Sequence, residues 1–334
     1  MAIHITNLYG QQKAAGISQN KTASIAKELG FHEMEIYRYD TNVDNDSELG
    51  TRLDGILAPV YHGDIIFIQS PSWNGLRYDL RFVRKLRAYS NIKIVMLIHD
   101  VIPLGFNSGE ANLRATIEIY NYADLIIAPS QAMLDLLNQY GLSVKKQMVQ
   151  QLWDYPISFE PSTPQFQKRL FFTGNPNRFP FLNEWNGQTQ ITLYTDADFI
   201  VSTQNITTRK YQKEEHLMMQ LSEGGYGLVW SSNEANNYYR LLQPYKVANY
   251  LAAGIPVIMQ RGLVPEHIIL QNKLGYVVDT LEEADAIVQT VTPDQYHLMT
   301  QHISEFNMLI RNGWFTKKML SDAVMYLMND SYTP

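Results

Sequence analysis

Lys246 and Asn249 stand three residues apart in the segment from Gln243 to Ile258, QPYKVANYLAAGIPVI. Pro244 is typical of the first turn of a helix, Gly254 is typical of its end, and the apolar run that follows is typical of a strand. A helix N-terminus presents unpaired N–H groups, and a lysine there adds a full positive charge. The segment therefore predicts a diphosphate site, with Asn249 on the same helix face as Lys246. The alternative is an ordinary buried helix with a solvated lysine.

Arg178 is a second candidate for binding phosphate, and it lies in the loop GNPNRFP, residues 174–180, directly after an apolar stretch. Glycine, asparagine and proline predict a rigid turn, from which a guanidinium can bind phosphate through two hydrogen bonds. If Arg178 and Lys246 converge, the two cations could stabilise a leaving diphosphate without a metal ion. The alternative is an ion pair of Arg178 with a surface carboxylate. No HExxH motif and no cluster of histidines occurs, so we expect neither a metal nor a cofactor.

His99 and Asp100 directly follow the apolar stretch 93–98, which predicts a strand. Ligands of open α/β sheets bind outside the carboxyl ends of the strands. Asp100 could therefore act as a general base toward an acceptor hydroxyl, with His99 as the alternative base. Asp100 could equally brace the turn that follows. Trp73 and Asn74, in the loop after another apolar stretch, could form a platform for an acceptor sugar, although a packed tryptophan is the commoner case.

Three further positions are candidates for contacts to the donor. Tyr211, in RKYQKEE, could stack on a nucleotide or merely cap a helix, and Ser231 lies at the end of the strand-like stretch GYGLVWSS. Gly16 is predicted to lie in a loop ahead of a helix near residues 20–29. Such a loop could let backbone N–H groups approach a phosphate or a sugar, but it lacks the spacing GxGxxG.

Composition restricts the class of protein. The chain has 334 residues, a formal net charge of -6 and no cysteine, and its length fits two domains of roughly 150 residues each. The lack of cysteine excludes disulfides and thiolate zinc sites and favours the cytoplasm. The negative charge disfavours nucleic acid as a partner. The start, MAIHITNLYGQQKAAG, does not resemble a secretory signal, and no run of ~20 apolar residues predicts a membrane span.

Strand-like and helix-like stretches alternate along the chain, which is typical of parallel sheets covered by helices. We therefore predict an α/β fold of two Rossmann-like, doubly wound domains. The polar stretch TTRKYQKEE, residues 207–215, is assigned no strand. The predicted parts are an N-terminal acceptor domain at 1–153, a linker with three prolines at 154–167, a C-terminal nucleotide-sugar domain at 168–312, and a final helix at 313–334 that could pack back on the N-terminal domain.

Six segments, QSPSWNG, IHDVIPL, ADLIIAPS, FFTGNPNRFP, GGYGLVWSS and PYKVANYLAAGIPVI, together resemble one family. It comprises the bacterial glycosyltransferases that add the second sugar to O-linked GlcNAc on serine-rich-repeat adhesins, and the resemblance extends along nearly the whole chain. It implies a GT-B fold, with two domains facing a central cleft, and a cytoplasmic homotetramer. The implied reaction is transfer of glucose, or GlcNAc, from a UDP-sugar to GlcNAc on serine or threonine of the adhesin.

The resemblance also implies roles for single residues. Arg178, Tyr211 and Lys246 match the UDP-contacting positions of the family, and the Gly16 segment matches one that lines the same cleft. Many retaining GT-B enzymes carry two glutamates eight positions apart, whereas here Glu234 is followed eight residues later by Leu242. The stereochemical course therefore stays open. A nucleotide-sugar epimerase and a non-catalytic UDP-binding subunit for adhesin maturation are the alternative functions.

Overall fold

The chain is divided into two compact units. The computed structural model describes residues 1–11, 13–105, 109–198, 203–210, 213–231 and 237–334. Unit 1 consists of Met1–Gln151 together with Phe315–Pro334, and unit 2 consists of Leu152–Trp314.

Each unit contains one six-stranded sheet, in which neighbouring strands pair in parallel. The strands of unit 1 are β1 (Ile3–Tyr9), β2 (His32–Tyr37), β3 (Ile65–Ser70), β4 (Lys93–Ile98), β5 (Leu125–Ala128) and β6 (Lys146–Val149). The strands of unit 2 are β7 (Arg169–Thr173), β8 (Gln190–Thr195), β9 (Ile206–Lys210), β10 (Tyr226–Val229), β11 (Val257–Gln260) and β12 (Gly275–Val278). The strand orders are β2-β1-β3-β4-β5-β6 and β12-β11-β10-β7-β8-β9.

Helices connect most of these strands, as parallel pairing requires. Those of the first half are α1 (Lys13–Glu28), α2 (Asp46–Leu57), α3 (Leu76–Leu86), α4 (Ile102–Gly105), α5 (Glu110–Tyr120) and α6 (Gln131–Gln139). The remaining helices are α7 (Phe181–Glu184), α8 (Glu214–Leu221), α9 (Tyr245–Ala252), α10 (Glu266–Gln271), α11 (Leu281–Thr290), α12 (Pro293–Arg311) and α13 (Trp314–Met328). Among the described residues, no helix is long and apolar enough to cross a bilayer.

The core of unit 1 contains residues from both ends of the chain. Ile65, Phe67 and Leu97 of the central strands are fully buried, and they belong to one apolar cluster with Leu320 and Ala323 of α13. Strands that are apolar along their whole length fit a parallel sheet, which needs cover on both faces. The last helix is therefore part of the core of unit 1.

The predicted α/β architecture of two parallel Rossmann-like sheets is confirmed, but one helix and one strand differ from expectation. Helix α1 begins at Lys13 rather than near residue 20, so Gly16 lies in its first turns and not in a loop. The glycine is explained by a close approach, because a Cβ at position 16 would lie 2.1 Å from the carbonyl oxygen of Gln11.

Strand β9 was not expected from the polar sequence of its segment. It occupies the edge of the unit 2 sheet, where Ile206 pairs with Ile191 of β8, and only Ile206 of its five residues is buried. An edge strand needs few apolar residues, because it has a neighbouring strand on one side only and most of its side chains are in contact with water. β-Branched residues such as Thr207 and Thr208 favour a strand.

Candidate functional site

The ammonium group of Lys246, the second residue of α9, lies among three aromatic rings. Its Nζ is 4.6 Å from the ring centroid of Phe179, 5.1 Å from that of Phe172 and 5.7 Å from that of Tyr239. The same Nζ donates a long hydrogen bond of 3.5 Å to the Tyr239 hydroxyl. Within the described ranges, no ion pair joins Lys246 to a carboxylate. Ring faces attract a cation but do not neutralise it, so the charge of Lys246 remains available to an anion.

Arg178 and Lys246 are electrostatically coupled. Burial, and next to it the positive charge of Arg178, lowers the pKa of Lys246 to about 7. Arg178 also acts on Tyr239, whose pKa is raised above its usual value by burial. Burial and a like charge both disfavour the protonated amine. An anionic ligand would favour it and would therefore raise the pKa of Lys246 again. The structure thus brings together the two cations that the sequence singled out.

A short, well-defined turn carries Arg178 at the carboxyl end of β7. Pro176–Arg178 forms one 3-10 turn, in which the Asn175 side chain accepts a 3.0 Å hydrogen bond from Asn177 N. Gly174 precedes the turn with a φ of 152°, which side-chain-bearing residues rarely adopt. This turn places the exposed Arg178 directly before Phe179, one of the three rings around Lys246 Nζ.

Tyr250 fixes helix α9 against the sheet. Its buried hydroxyl donates to Phe171 O at 3.3 Å and accepts from Thr173 N at 3.2 Å, near the end of β7. Its ring lies on Gly227 of β10, where a Cβ would come within 2.1 Å of Tyr250 Cγ. Glycine at position 227 therefore lets α9 approach the sheet closely, and this sets the position of Lys246.

The other predicted donor contacts of unit 2 have different surroundings. Asn249 is 8% exposed, and its Oδ1 has no hydrogen-bond partner among the described residues. Ser231 is buried, and its backbone N–H donates to Gln260 Oε1 at 3.0 Å. Tyr211 and Glu234 lie outside the described residues. Of these, the buried amide of Asn249 is the one with an unused acceptor one turn beyond Lys246.

In unit 1, His99 is held in a polar network at the carboxyl end of β4. Its Nε2 lies 2.8 Å from Gln69 Oε1, and its Nδ1 lies 3.3 Å from Ser18 Oγ. Gln69 Nε2 donates to Thr6 O at 2.6 Å, which leaves Gln69 Oε1 as an acceptor. The proton of the neutral His99 ring is therefore assigned to Nε2.

His99 and Asp100, the two candidate bases, differ in their surroundings. Burial lowers the pKa of His99 to about 3, so the ring stays neutral and accepts a proton poorly near neutral pH. Both ring nitrogens of His99 are engaged. Asp100 is half-buried, and its backbone N–H donates to Ser70 O at 3.4 Å. His99 is therefore a neutral side chain whose two ring nitrogens are both hydrogen-bonded, next to Asp100 in the sequence.

Trp73 and Asn74 lie between β3 and α3, in a loop that lines a cavity of about 630 Å³ within unit 1. The Asn74 amide is engaged at both ends, because its Oδ1 accepts from Tyr39 N at 3.0 Å and its Nδ2 donates to Tyr37 O at 3.1 Å. Asn74 therefore positions the loop, whereas the indole N–H of Trp73 has no hydrogen-bond partner among the described residues.

Two Asp-x-Asp triplets, a spacing that can bind a divalent cation, occur at residues 44–46 and 196–198. Asp44 pairs with Arg52 at 2.7 Å, and Asp46 pairs with Arg77 at 2.7 Å. The second triplet follows β8. In the part of the chain that the structure describes, no group of three or more His, Cys, Asp or Glu side chains is arranged to hold a metal ion.

Comparison with solved structures gives the class of the fold, which is that of the GT-B glycosyltransferases. HepE of Anabaena in complex with UDP-glucose superposes with a TM-score of 0.67 at 12% identity, over 98% of this chain and 100% of HepE. Sucrose-phosphate synthase of Thermosynechococcus elongatus superposes with a TM-score of 0.67 at 12% identity, over 99% of this chain and 100% of the synthase.

Sequence comparison gives the family. The models for the N-terminal and C-terminal domains of glucosyltransferase 3-like proteins match residues 2–152 and 170–323. Glucosyltransferase 3 of Streptococcus parasanguinis is 39% identical over 332 residues, with 99% of this chain and 100% of the relative covered. Glucosyltransferase 3 of Streptococcus gordonii is 41% identical over 335 residues, with 98% and 100% covered. The chain belongs to the glucosyltransferase 3-like family, and the resemblance to bacterial glycosyltransferases is confirmed.

Proposed function

We propose that this protein transfers glucose, or GlcNAc, from a UDP-sugar to GlcNAc that is O-linked to serine or threonine of a serine-rich-repeat adhesin. The observation that carries the proposal is the pair of cations in unit 2, where Lys246 lies among aromatic rings, is coupled to Arg178 and forms no ion pair with a carboxylate of the described residues. The relatives named glucosyltransferase 3, and a GT-B structure solved with UDP-glucose, support a glucose donor.

The cation pair would bind the diphosphate of the donor and stabilise it as it leaves. The positive end of the α9 dipole adds to the charge of Lys246, and Pro244 at the N-cap contributes no side-chain hydrogen bond that would compete. Fixed charges aimed at a leaving diphosphate lower the barrier because they need no reorganisation during the reaction. Tyr211 and Asn249 are further proposed donor contacts, and Ser231 is a nearby one.

Unit 1 would bind the acceptor. In the proposed step the acceptor hydroxyl oxygen bonds to the anomeric carbon, the bond from that carbon to the diphosphate oxygen breaks, and the Asp100 carboxylate takes the hydroxyl proton. Lys246 and Arg178 both stay positively charged through the step. Together they would offset the negative charge of the leaving diphosphate without a metal ion. The proposal includes a cytoplasmic location and a homotetramer, both of which rest on the family resemblance.

Mass spectrometry of a GlcNAc-modified serine-rich peptide tests the proposal. After incubation with the protein and UDP-glucose in EDTA, we expect a gain of one hexose, and with UDP-GlcNAc a gain of one N-acetylhexosamine if that is the native donor. The unmodified peptide is the control and should gain nothing. Absence of any gain, together with stabilisation of the fold by UDP, would instead indicate a non-catalytic UDP-binding subunit. Conversion of the sugar nucleotide without the peptide would indicate an epimerase.

A further inference from the structure

The cavity of unit 1 lies where three neighbouring strands end. Its lining consists of Gly10 after β1, residues 38–42 after β2 and residues 73–77 after β3, and its volume is about 630 Å³. These three strands are adjacent in the order β2-β1-β3. The carboxyl edge of such a sheet is where ligands bind, and the volume falls in the range of small-molecule sites, roughly 300–1,000 Å³.

Trp73 is the unusual residue of this cavity. Its φ is 61°, in the left-handed region that bulky side chains avoid. The side chain is half-buried, and the buried Nε1 has no hydrogen-bond partner among the described residues. A strained backbone and an unused buried N–H at one residue together point to a function. Such an N–H can donate to an acceptor oxygen of a ligand.

The loop that carries Trp73 is braced on both sides of the indole. The Ser72 hydroxyl donates to Asp79 Oδ1 and accepts from Asn74 N at 3.2 Å. Asn74 in turn bonds the backbone of Tyr37 and Tyr39, and its carbonyl accepts from Thr41 Oγ1 at 3.0 Å. These bonds hold Trp73, which lines the cavity, in its strained conformation.

The charges of the lining are balanced rather than convergent. Arg77 is engaged by Asp46 at 2.7 Å and by the carbonyl oxygens of Thr41 and Asp44, both at 3.1 Å. Arg38 is exposed, but Asp40 lines the same cavity. An anion would need converging cations, whereas an uncharged ring with hydroxyl and amide groups fits mixed donors and acceptors beside an indole face.

We propose that the Trp73 cavity is an acceptor subsite that takes an N-acetylated pyranose, stacked on the indole, with Trp73 Nε1–H donating to one of its oxygens. This inference rests on the proposed function, which it deepens by locating the acceptor sugar. Trp73 is then a residue that determines acceptor specificity. Arg38, which also lines the cavity, can donate a hydrogen bond to a second oxygen of the sugar.

Two substitutions at Trp73 separate the ring from its N–H. Trp73→Gly removes the ring, and glycine suits a φ of 61°. Trp73→Phe keeps a ring and removes the donor. We expect Trp73→Gly to raise KM for the GlcNAc-modified peptide by about 10-fold or more, and Trp73→Phe to raise it by about 3-fold. KM for UDP-glucose and the melting temperature should stay near the wild-type values.

Asn91→Gly is the matched control. Asn91 has a φ of 58° and is exposed at the amino end of β4, the edge of the sheet opposite to the Trp73 loop. The substitution Asn91→Gly introduces glycine at nearly the same φ as Trp73→Gly does, and it should leave KM for the peptide and KM for UDP-glucose unchanged.

Saturation-transfer NMR with methyl GlcNAc glycoside distinguishes failure of the inference from failure of the proposed function, because it needs no turnover. A signal in the wild type that is lost in Trp73→Gly supports the subsite even if no sugar is transferred. Equal signals in the two proteins, or sugar transfer in which Trp73→Gly leaves the acceptor KM within twofold of the wild type, would overturn the subsite and leave the transferase proposal standing.

Discussion

Replacing Lys246 by methionine should lower kcat for sugar transfer by at least ~100-fold, the scale of losing one fixed charge that acts on the transition state. Methionine keeps an unbranched apolar side chain among Phe172, Phe179 and Tyr239, so the space between the three rings should stay filled. The fold should not lose stability, because a charge that burial disfavours has been removed. Initial rates of peptide glycosylation at saturating donor, with a urea denaturation curve for the variant, measure both effects.

Lys273→Asn is the matched control for the loss of charge. Lys273 is an exposed lysine of unit 2 with a φ of 54°, and asparagine tolerates that conformation. It removes one positive charge from the same unit and should leave kcat unchanged. Rates of Lys246→Met within twofold of the wild type would exclude Lys246 from the reaction.

Replacing Gly227 by alanine should destabilise unit 2 by about 3 kcal/mol, because the new Cβ overpacks and displaces a hydrogen-bonded side chain. That Cβ would lie 2.1 Å from Tyr250 Cγ, and the ring cannot move without breaking its hydrogen bonds to Phe171 and Thr173. Since Tyr250 fixes α9, UDP binding should weaken together with stability. Urea denaturation and calorimetric titration with UDP measure the two effects.

Gly55→Ala is the matched control for a substitution of glycine by alanine. Gly55 lies inside α2, and a Cβ there would meet nothing within 4 Å. Alanine should stabilise this helix by roughly 0.5–1 kcal/mol. A loss of less than 0.5 kcal/mol for Gly227→Ala, with unchanged affinity for UDP, would show that Tyr250 does not set the position of α9.

The sequence predicts those elements well whose two ends carry strong signals. Helix α12 begins at Pro293 after Thr292, which forms a capping box with Gln295. Helix α9 was recognised from Pro244 and Gly254 in the same way. Strand β9 and the start of α1 were missed because edge pairing and the approach of the Gln11 backbone are tertiary effects that local patterns do not record.

The sequence singles out Arg178 and Lys246 as candidate cations, but it does not show what surrounds them. Phe172 lies in β7, Phe179 follows the Pro176–Arg178 turn and Tyr239 lies about 60 residues further along, so only the fold shows that the three rings surround Lys246. Likewise, no pattern in the sequence distinguishes the engaged amide of Asn74 from the unused indole N–H of Trp73. The sequence identifies which residue types could bind a ligand. The packing of the fold decides which of their polar groups already have partners within the protein.

Proton uptake on UDP binding tests most directly whether Lys246 receives the diphosphate. With a pKa of about 7 in the free protein, Lys246 is about half protonated at pH 7, and a bound diphosphate should raise its pKa, so binding should take up roughly half a proton. For the same reason, the contribution of Lys246 to affinity should be full below pH 7 and fall as the pH rises through the pKa of the complex. Titration calorimetry in two buffers of different ionisation enthalpy measures the uptake.

Lys246→Arg provides the control, since arginine keeps the charge and does not titrate in this range. We predict uptake in the wild type that exceeds the value for Lys246→Arg and for Lys246→Met, and no such difference with uridine, which lacks the diphosphate. The comparison also removes any proton taken up by UDP itself. Equal uptake in all three proteins, with UDP affinity unchanged in Lys246→Met, would contradict the assignment of Lys246 to the diphosphate.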